Sequence, residues 1–120
     1  MPNEGAIIVI DSITQVQPAH AGAIVVTGSH GGRSSARYAA KVRAKLYVFN
    51  DAGIGRDEAG VAALAMLDRY GIAAVAVSHE SARIGDAADT LDRGVISRIN
   101  DVASKLGARP DMPLAMLFAK

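Results

Sequence analysis

The sequence contains no cysteine, and this absence removes a whole group of chemistries from consideration. Disulfide bonds, thiolate zinc sites and cysteine nucleophiles all require that side chain. Tryptophan is also absent, and aromatic residues make up only 4% of the chain. Because 50% of the 120 residues are hydrophobic, the core must be built from alanine, valine, isoleucine and leucine, and intrinsic disorder is not expected.

The chain also lacks a strong net charge and a long apolar run. Its 13 basic and 12 acidic residues give a formal net charge of +1, which supplies no basic field for nucleic acid or a membrane surface. No apolar run approaches the roughly 18 residues that span a bilayer, and the first residues do not resemble a signal peptide. We therefore expect a soluble cytoplasmic protein with no nucleic-acid partner, no membrane partner and no cofactor.

Four short apolar runs have the length and composition of β-strands. They are rich in β-branched or aromatic residues, show no polar alternation, and cover residues 6–10, 23–27, 46–49 and 72–77. Continuous runs of this kind are typical of strands that are buried on both faces of a parallel sheet.

Helical patterns alternate with these runs. Residues 34–44 follow a glycine-rich stretch with a serine available as N-cap, and residues 57–70 begin with two acids and end before a glycine. Residues 91–106 carry apolar side chains at helical spacing. The basic residues of the first pattern are expected to form a solvated helix face; they are Arg33, Arg37, Lys41, Arg43 and Lys45.

The alternation of strands and helices predicts one α/β domain over residues 1–120. We expect a three-layer, Rossmann-like domain with a mostly parallel sheet of four or five strands and helices on both faces. Residues 11–22 would form a loop with one helical turn, or a reversal that makes the first strand antiparallel. Residues 114–118 would form an edge strand or a subunit contact, and this apolar tail leads us to expect a homo-oligomer.

The residues that can carry chemistry follow the predicted strands. Ligands of open α/β sheets bind outside the carboxyl ends of the strands. His20 precedes the second strand, so it belongs at the opposite end and is expected to have a structural or surface role. The candidates at the carboxyl edge are Asp11, Ser12, Gly28, Ser29, His30, Gly31, Gly32, Asn50, Asp51, Ser78, His79, Glu80, Ser81, Arg83 and Asp86.

The stretch Gly28-Ser29-His30-Gly31-Gly32 is the first of these candidates. Glycine lets a ligand approach the backbone, and a helix that begins near residue 34 presents free N–H groups to an anion. The alternative is a tight turn between strand and helix, but a turn by itself does not require a histidine. The spacing matches neither a Walker A loop nor a dinucleotide fingerprint.

Residues 78–89 form the second stretch, whose candidate groups are the base His79, the acids Glu80 and Asp86, two serine hydroxyls and an arginine that can clamp an anion. A salt-bridged surface loop is the alternative interpretation. The expected site residues of the whole edge are His30, Asp51 and His79 for catalysis, and for substrate binding Gly28, Ser29, Gly31, Gly32, Asn50, Ser78, Ser81 and Arg83.

These residues predict an enzyme that acts on a small anionic metabolite of the carboxylate type. His30 and Asp51 would transfer protons, while Ser29, Ser78 or His79 would orient groups. The reaction class, whether isomerase, lyase or hydrolase, stays open at this point.

Two other function classes stay open as well. One is a non-catalytic module that binds a small anion or nucleotide, or an accessory subunit of an oligomeric complex. The other is a divalent-metal hydrolase with the ligands His30, Asp51, His79 and Asp86.

Overall fold

The computed structural model describes residues 6–118, and these residues build a five-stranded sheet in which the strands follow one another in chain order. The strands are β1 (Ile7–Ile10), β2 (Ile24–His30), β3 (Leu46–Asn50), β4 (Ala74–Val77) and β5 (Ile96–Ile99). Neighbouring strands from β1 to β4 are parallel, and β5 is antiparallel to β4. The predicted α/β class and mostly parallel sheet are confirmed.

Five α-helices lie among the described residues: α1 (Arg33–Ala39), α2 (Ala62–Arg69), α3 (Ala87–Arg93), α4 (Asp101–Lys105) and α5 (Leu114–Phe118). Short 3₁₀ helices cover Ile13–Gln15, Pro18–His20 and Arg56–Val61. Within residues 6–118, none of these helices has the length and apolar character that a membrane span requires.

The strand order decides which helices cover which face of the sheet. Each step from β1 to β4 moves one strand in the same direction, so right-handed crossovers place all three connections on one face. There α1 and α2 enclose a core that includes Tyr47, Phe49 and Leu67. The chain after β4 covers the other face with α3 and α5, around Val75 and Ile96. Helices therefore cover both faces, as expected.

The helix predicted over residues 91–106 is wrong. The chain instead forms the end of α3, the strand β5 and the helix α4. Gly94 has an extended backbone, and a side chain there would collide with Thr90 and Val77. The β-branched residues after it pair with β4, and Asn100 caps α4. Pairing at the open edge of the sheet thus overrides a helical spacing of apolar residues.

Other local predictions also need correction. Residues 11–22 contain two 3₁₀ helices and β1 is parallel to β2, so the antiparallel alternative is wrong. The edge strand expected over residues 114–118 is a helix. Gly32 rather than a serine is the N-cap of α1. The Ser35 hydroxyl instead donates to the His30 carbonyl at 2.5 Å. The predicted helix 57–70 begins only at Ala62.

Candidate functional site

The chain leaves β3 and β4 toward opposite faces of the sheet. After β3 it runs to α2 on one face, and after β4 it runs to α3 on the other. In open α/β sheets a crevice opens between two strands whose connections diverge in this way, and ligands bind there. Asp51 directly follows β3 and His79 comes two residues after β4, so both lie at the point where the two connections diverge.

Asp51 is a buried carboxylate surrounded by hydrogen-bond donors. Its Oδ1 accepts from the backbone N–H of Gly53 at 2.8 Å and of His79 at 3.0 Å. Its Oδ2 accepts from the Ser97 hydroxyl at 2.7 Å. Burial acts to raise the pKa of Asp51, but the hydrogen bonds from Ser97, Gly53 and His79 outweigh burial and lower that pKa below its ordinary value. The carboxylate is therefore held in its ionised form.

The His79 imidazole contacts this carboxylate and is also accessible. Its Nδ1 lies 3.2 Å from Asp51 Oδ1, while 51% of the side chain remains exposed. An ionised carboxylate can only accept, so the contact assigns the proton of the neutral ring to Nδ1. That tautomer leaves Nε2 with a free lone pair, which is the arrangement that a proton-transfer group needs.

Ser97 is a site residue that the sequence pattern does not reveal. In the ladder between β4 and β5, Val77 pairs with Ile96 and Ala76 pairs with Arg98, so Ser97 is the extra residue of a β-bulge. Bulges redirect side chains, and this one directs the Ser97 hydroxyl to Asp51. The residue lies inside the segment that the apolar spacing wrongly predicts as a helix. The sequence feature that indicates a strand here is Gly94, which is followed by the two β-branched residues Val95 and Ile96.

The loop that follows Asp51 has an unusual backbone. Ala52, Ile54, Asp57 and Glu58 all have positive φ angles, between 50° and 67°. Such angles are rare for residues with a side chain, above all for a β-branched residue such as Ile54. Strained backbone persists only where the surrounding structure determines it, and it clusters at functional sites. Here it lies next to the carboxylate that holds His79.

The glycines of residues 28–32 have structural explanations. Gly28, Ser29 and His30 belong to β2 rather than to a loop. A Cβ at Gly28 would collide with the backbone of Gly85, and one at Gly31 would lie 2.9 Å from the carbonyl oxygen of Gly60. Close approach between segments therefore accounts for these two positions.

The amide groups of the same stretch already have acceptors. Gly28 N–H donates to Asp11 O, Gly31 N–H to Asn50 O, and Gly32 N–H to His30 Nδ1 at 3.2 Å. The Ser29 hydroxyl accepts from the Ile13 N–H at 2.9 Å. An anion-binding role for this stretch stays a prediction, and the geometry offers few free N–H groups for it. His30 is exposed at the end of β2, and its described hydrogen bonds do not reach Asp51 or His79.

Four further candidates at the edge serve mainly local structure. Buried Asn50 donates to Ala82 O at 3.1 Å and accepts from Ala52 N–H at 2.8 Å. The Ser78 hydroxyl accepts from Glu80 N–H, and the Ser81 hydroxyl donates to Ser78 O at 2.8 Å. Arg83 is exposed, and its backbone N–H donates to Asp89 Oδ2. Of the catalytic candidates, the structure thus joins Asp51 and His79.

The four residues considered as metal ligands do not form one group, although Asp51 and His79 are in contact. Among residues 6–118 no three histidine, aspartate or glutamate side chains form a group that could hold a metal ion. Asp86 instead caps α3 by accepting from Asp89 N–H at 2.9 Å. The geometry of these four side chains therefore gives the metal-hydrolase alternative no support.

The lowered pKa of Asp51 predicts a specific loss of stability in acid. Because the folded-state pKa lies below the ordinary value of 3.8, the ionised carboxylate stabilises the folded state above that pH. The contribution disappears as the pH falls from there through the folded-state pKa. Urea unfolding at pH 5 and in steps below pH 4 should show a smaller acid loss in Asp51→Asn than in the wild type. Equal acid losses in the two proteins would contradict the assignment.

The chain was also compared with known proteins. No protein-family model, no curated protein and no solved structure gives a significant match to it.

Proposed function

We propose that this protein is an enzyme that acts on a small carboxylate-type anion, with His79 as the general acid–base. The observation that carries the proposal is the contact between the ionised Asp51 and the Nδ1 of His79 at the point where the connections diverge. A buried, ionised carboxylate behind an accessible imidazole fixes the tautomer of the ring and stabilises the imidazolium that forms when Nε2 takes a proton.

Each residue of the site has a distinct role in this proposal. His79 Nε2 takes a proton from the substrate, or from a water that attacks it, and returns a proton later in the reaction. Asp51 orients the ring and stays ionised throughout. Ser97 and the Gly53 amide hold Asp51 in place, so Ser97 is a positioning residue. Arg83, an exposed guanidinium on the loop that carries His79, binds the anionic group of the substrate.

A ligand-binding screen tests the proposal before the reaction is known. Unfolding temperatures would be measured with pyruvate, malate, citrate and inorganic phosphate, and with acetamide as the uncharged control. A ligand present at 100 times its Kd should add about 2.7 kcal/mol to the free energy of unfolding. At least one carboxylate should stabilise the wild type, and Arg83→Gln should reduce that effect. Equal changes in unfolding temperature with carboxylates and with acetamide would refute the proposed substrate class.

Self-association is part of the same proposal and also favours the accessory-subunit alternative. The edge strand β1 exposes Ile7 by 40% and Val9 by 42%, and Met116 on α5 is exposed by 61%. Contact with a second copy of the chain would remove these apolar side chains from water. Static light scattering should then give a mass above the 12.4 kDa of one chain. A wild type that binds carboxylates but never converts them would support the accessory role.

A further inference from the structure

A cavity of about 570 Å³ lies between α1 and α2, on the face of the sheet that these two helices cover. Arg33 and Arg37 of α1 line it, and so does Arg69 at the end of α2. Its wall is made by Val61, Ala62, Ala65 and Met66, and Asp57 and Glu58 complete the lining. The cavity therefore combines an apolar wall with charged groups of both signs, and its volume lies in the range of small-molecule sites.

The three arginines of this cavity have no partner for their guanidinium groups among residues 6–118. In the part of the chain that the structure describes, none of their guanidinium groups donates a hydrogen bond or forms an ion pair. Three arginines elsewhere in the chain show what such groups do when an acceptor is near. Arg43 donates to the Tyr70 carbonyl, Arg93 pairs with Asp89 at 2.8 Å, and Arg109 donates to Ser104.

The position of Arg69 changes the interpretation of the basic residues on α1. A single basic helix face is ordinarily a solvated surface. Here the third guanidinium comes from a different helix and lines the same cavity as Arg33 and Arg37. The three guanidinium groups exceed the two carboxylates of Asp57 and Glu58, so the lining keeps a net positive charge that attracts an anion. Guanidinium groups also match carboxylate and phosphate oxygens with two parallel hydrogen bonds.

We propose that this cavity binds a small organic anion, whose carboxylate or phosphate group contacts the arginines and whose apolar body lies against Val61, Ala65 and Met66. The carboxylates of Asp57 and Glu58 would accept hydrogen bonds from hydroxyl or amino groups of the same ligand. Neither Asp51 nor His79 lines this cavity, so the site does not depend on the proposed catalytic function.

The test uses adenosine 5′-monophosphate and citrate as probes, with adenosine as the uncharged control. Isothermal titration calorimetry gives the Kd, and ¹H–¹⁵N spectra of the wild type locate the site. We expect shifts at residues 33, 37, 57 and 69 for at least one anion, and no binding of adenosine alone. Arg37→Gln and Arg69→Gln should each raise the Kd by about tenfold or more, because each removes a charged hydrogen bond.

Lys105→Gln is the matched control, because it removes one positive charge from an exposed position outside the cavity. Its Kd should stay within about twofold of the wild type. The proposal is overturned if neither anion binds, if the shifts lie elsewhere, or if Lys105→Gln weakens binding as much as the cavity variants. The anion should bind His79→Gln as tightly as the wild type, which distinguishes failure of this site from failure of the catalytic proposal.

Discussion

Replacing His79 with glutamine is expected to lower turnover by about 10²- to 10⁴-fold, which is the usual contribution of a general acid–base. Glutamine keeps a polar side chain of similar length, but it cannot take and return a proton near neutral pH. The fold should tolerate the change because about half of the His79 side chain is exposed. The Asp51 carboxylate keeps its bonds to Ser97 and to two backbone amides.

The measurement can be made while the reaction class is still open. The carboxylate that stabilises the wild type is incubated with the enzyme in D₂O, and ¹H NMR follows both its conversion and the exchange of its carbon-bound protons. A base that abstracts such a proton produces exchange even where the net reaction is slow. Unfolding temperatures of both proteins are recorded alongside, so that a loss of folded enzyme is not mistaken for a loss of catalysis.

His30→Gln is the matched control, since His30 is a second exposed imidazole at the same edge of the sheet. Its Nδ1 accepts from the Gly32 N–H, and no carboxylate contacts it in the described part of the chain. We expect turnover to fall by less than about tenfold in this variant. A large loss in His30→Gln together with normal turnover in His79→Gln would transfer the acid–base role to His30 and refute our assignment.

Replacing Asn100 with alanine is expected to destabilise the fold by about 4 kcal/mol. The Asn100 amide is buried, and its Oδ1 accepts from Ala74 N–H at 3.1 Å and Ala103 N–H at 2.9 Å. Its Nδ2 donates to Leu64 O at 3.1 Å and Ile72 O at 2.9 Å. Alanine leaves four backbone groups without this partner, and each unsatisfied buried group costs about 1–3 kcal/mol unless water reaches it.

Urea unfolding at neutral pH measures this effect, with two variants for comparison. Asp101→Ala alters the next residue, which is exposed, and should change the free energy of unfolding by less than about 1 kcal/mol. Asn100→Asp keeps an acceptor for two amides but loses both donors, and it adds a buried charge. It should therefore also be strongly destabilising. A decrease in the free energy of unfolding below about 1 kcal/mol in Asn100→Ala would contradict the prediction. It would show that other groups or water satisfy the four backbone groups.

The sequence predicts β2, β3 and β4 well because those strands are largely buried on both faces, and it predicts β1 from an uninterrupted apolar run. The run 46–49 carries no polar residue, and the structure extends it only to Asn50. Strand β5 is not predicted because it is an edge strand with mixed burial: Ile96 is buried while Arg98 is exposed. Its apolar residues also fit a helical spacing, and only the ladder to β4 decides between the two structures.

The candidate site shows the same division between local and long-range information. Asp51 and His79 could be placed at one edge because each follows a parallel strand. Their contact could not be predicted, since it joins side chains that are 28 residues apart in the chain. The hydrogen bond from Ser97 to the same carboxylate spans 46 residues. The proton-transfer roles expected for His30 and Asp51 rested on residue type, whereas the structure shows that the imidazole in contact with the carboxylate is that of His79.

The strand order of the sheet has a consequence for how the chain folds. Every strand pairs with the strand that precedes it in the sequence, so each new ladder closes a loop of moderate length. Pairing between consecutive strands loses less chain entropy than pairing between strands that are far apart in the sequence, because each closed loop is shorter. During synthesis the partner of each strand has already emerged from the ribosome when the strand itself appears. The sheet can therefore form strand by strand as the chain is synthesised. Ser97 is then the last residue to join the hydrogen bonds of the Asp51 carboxylate.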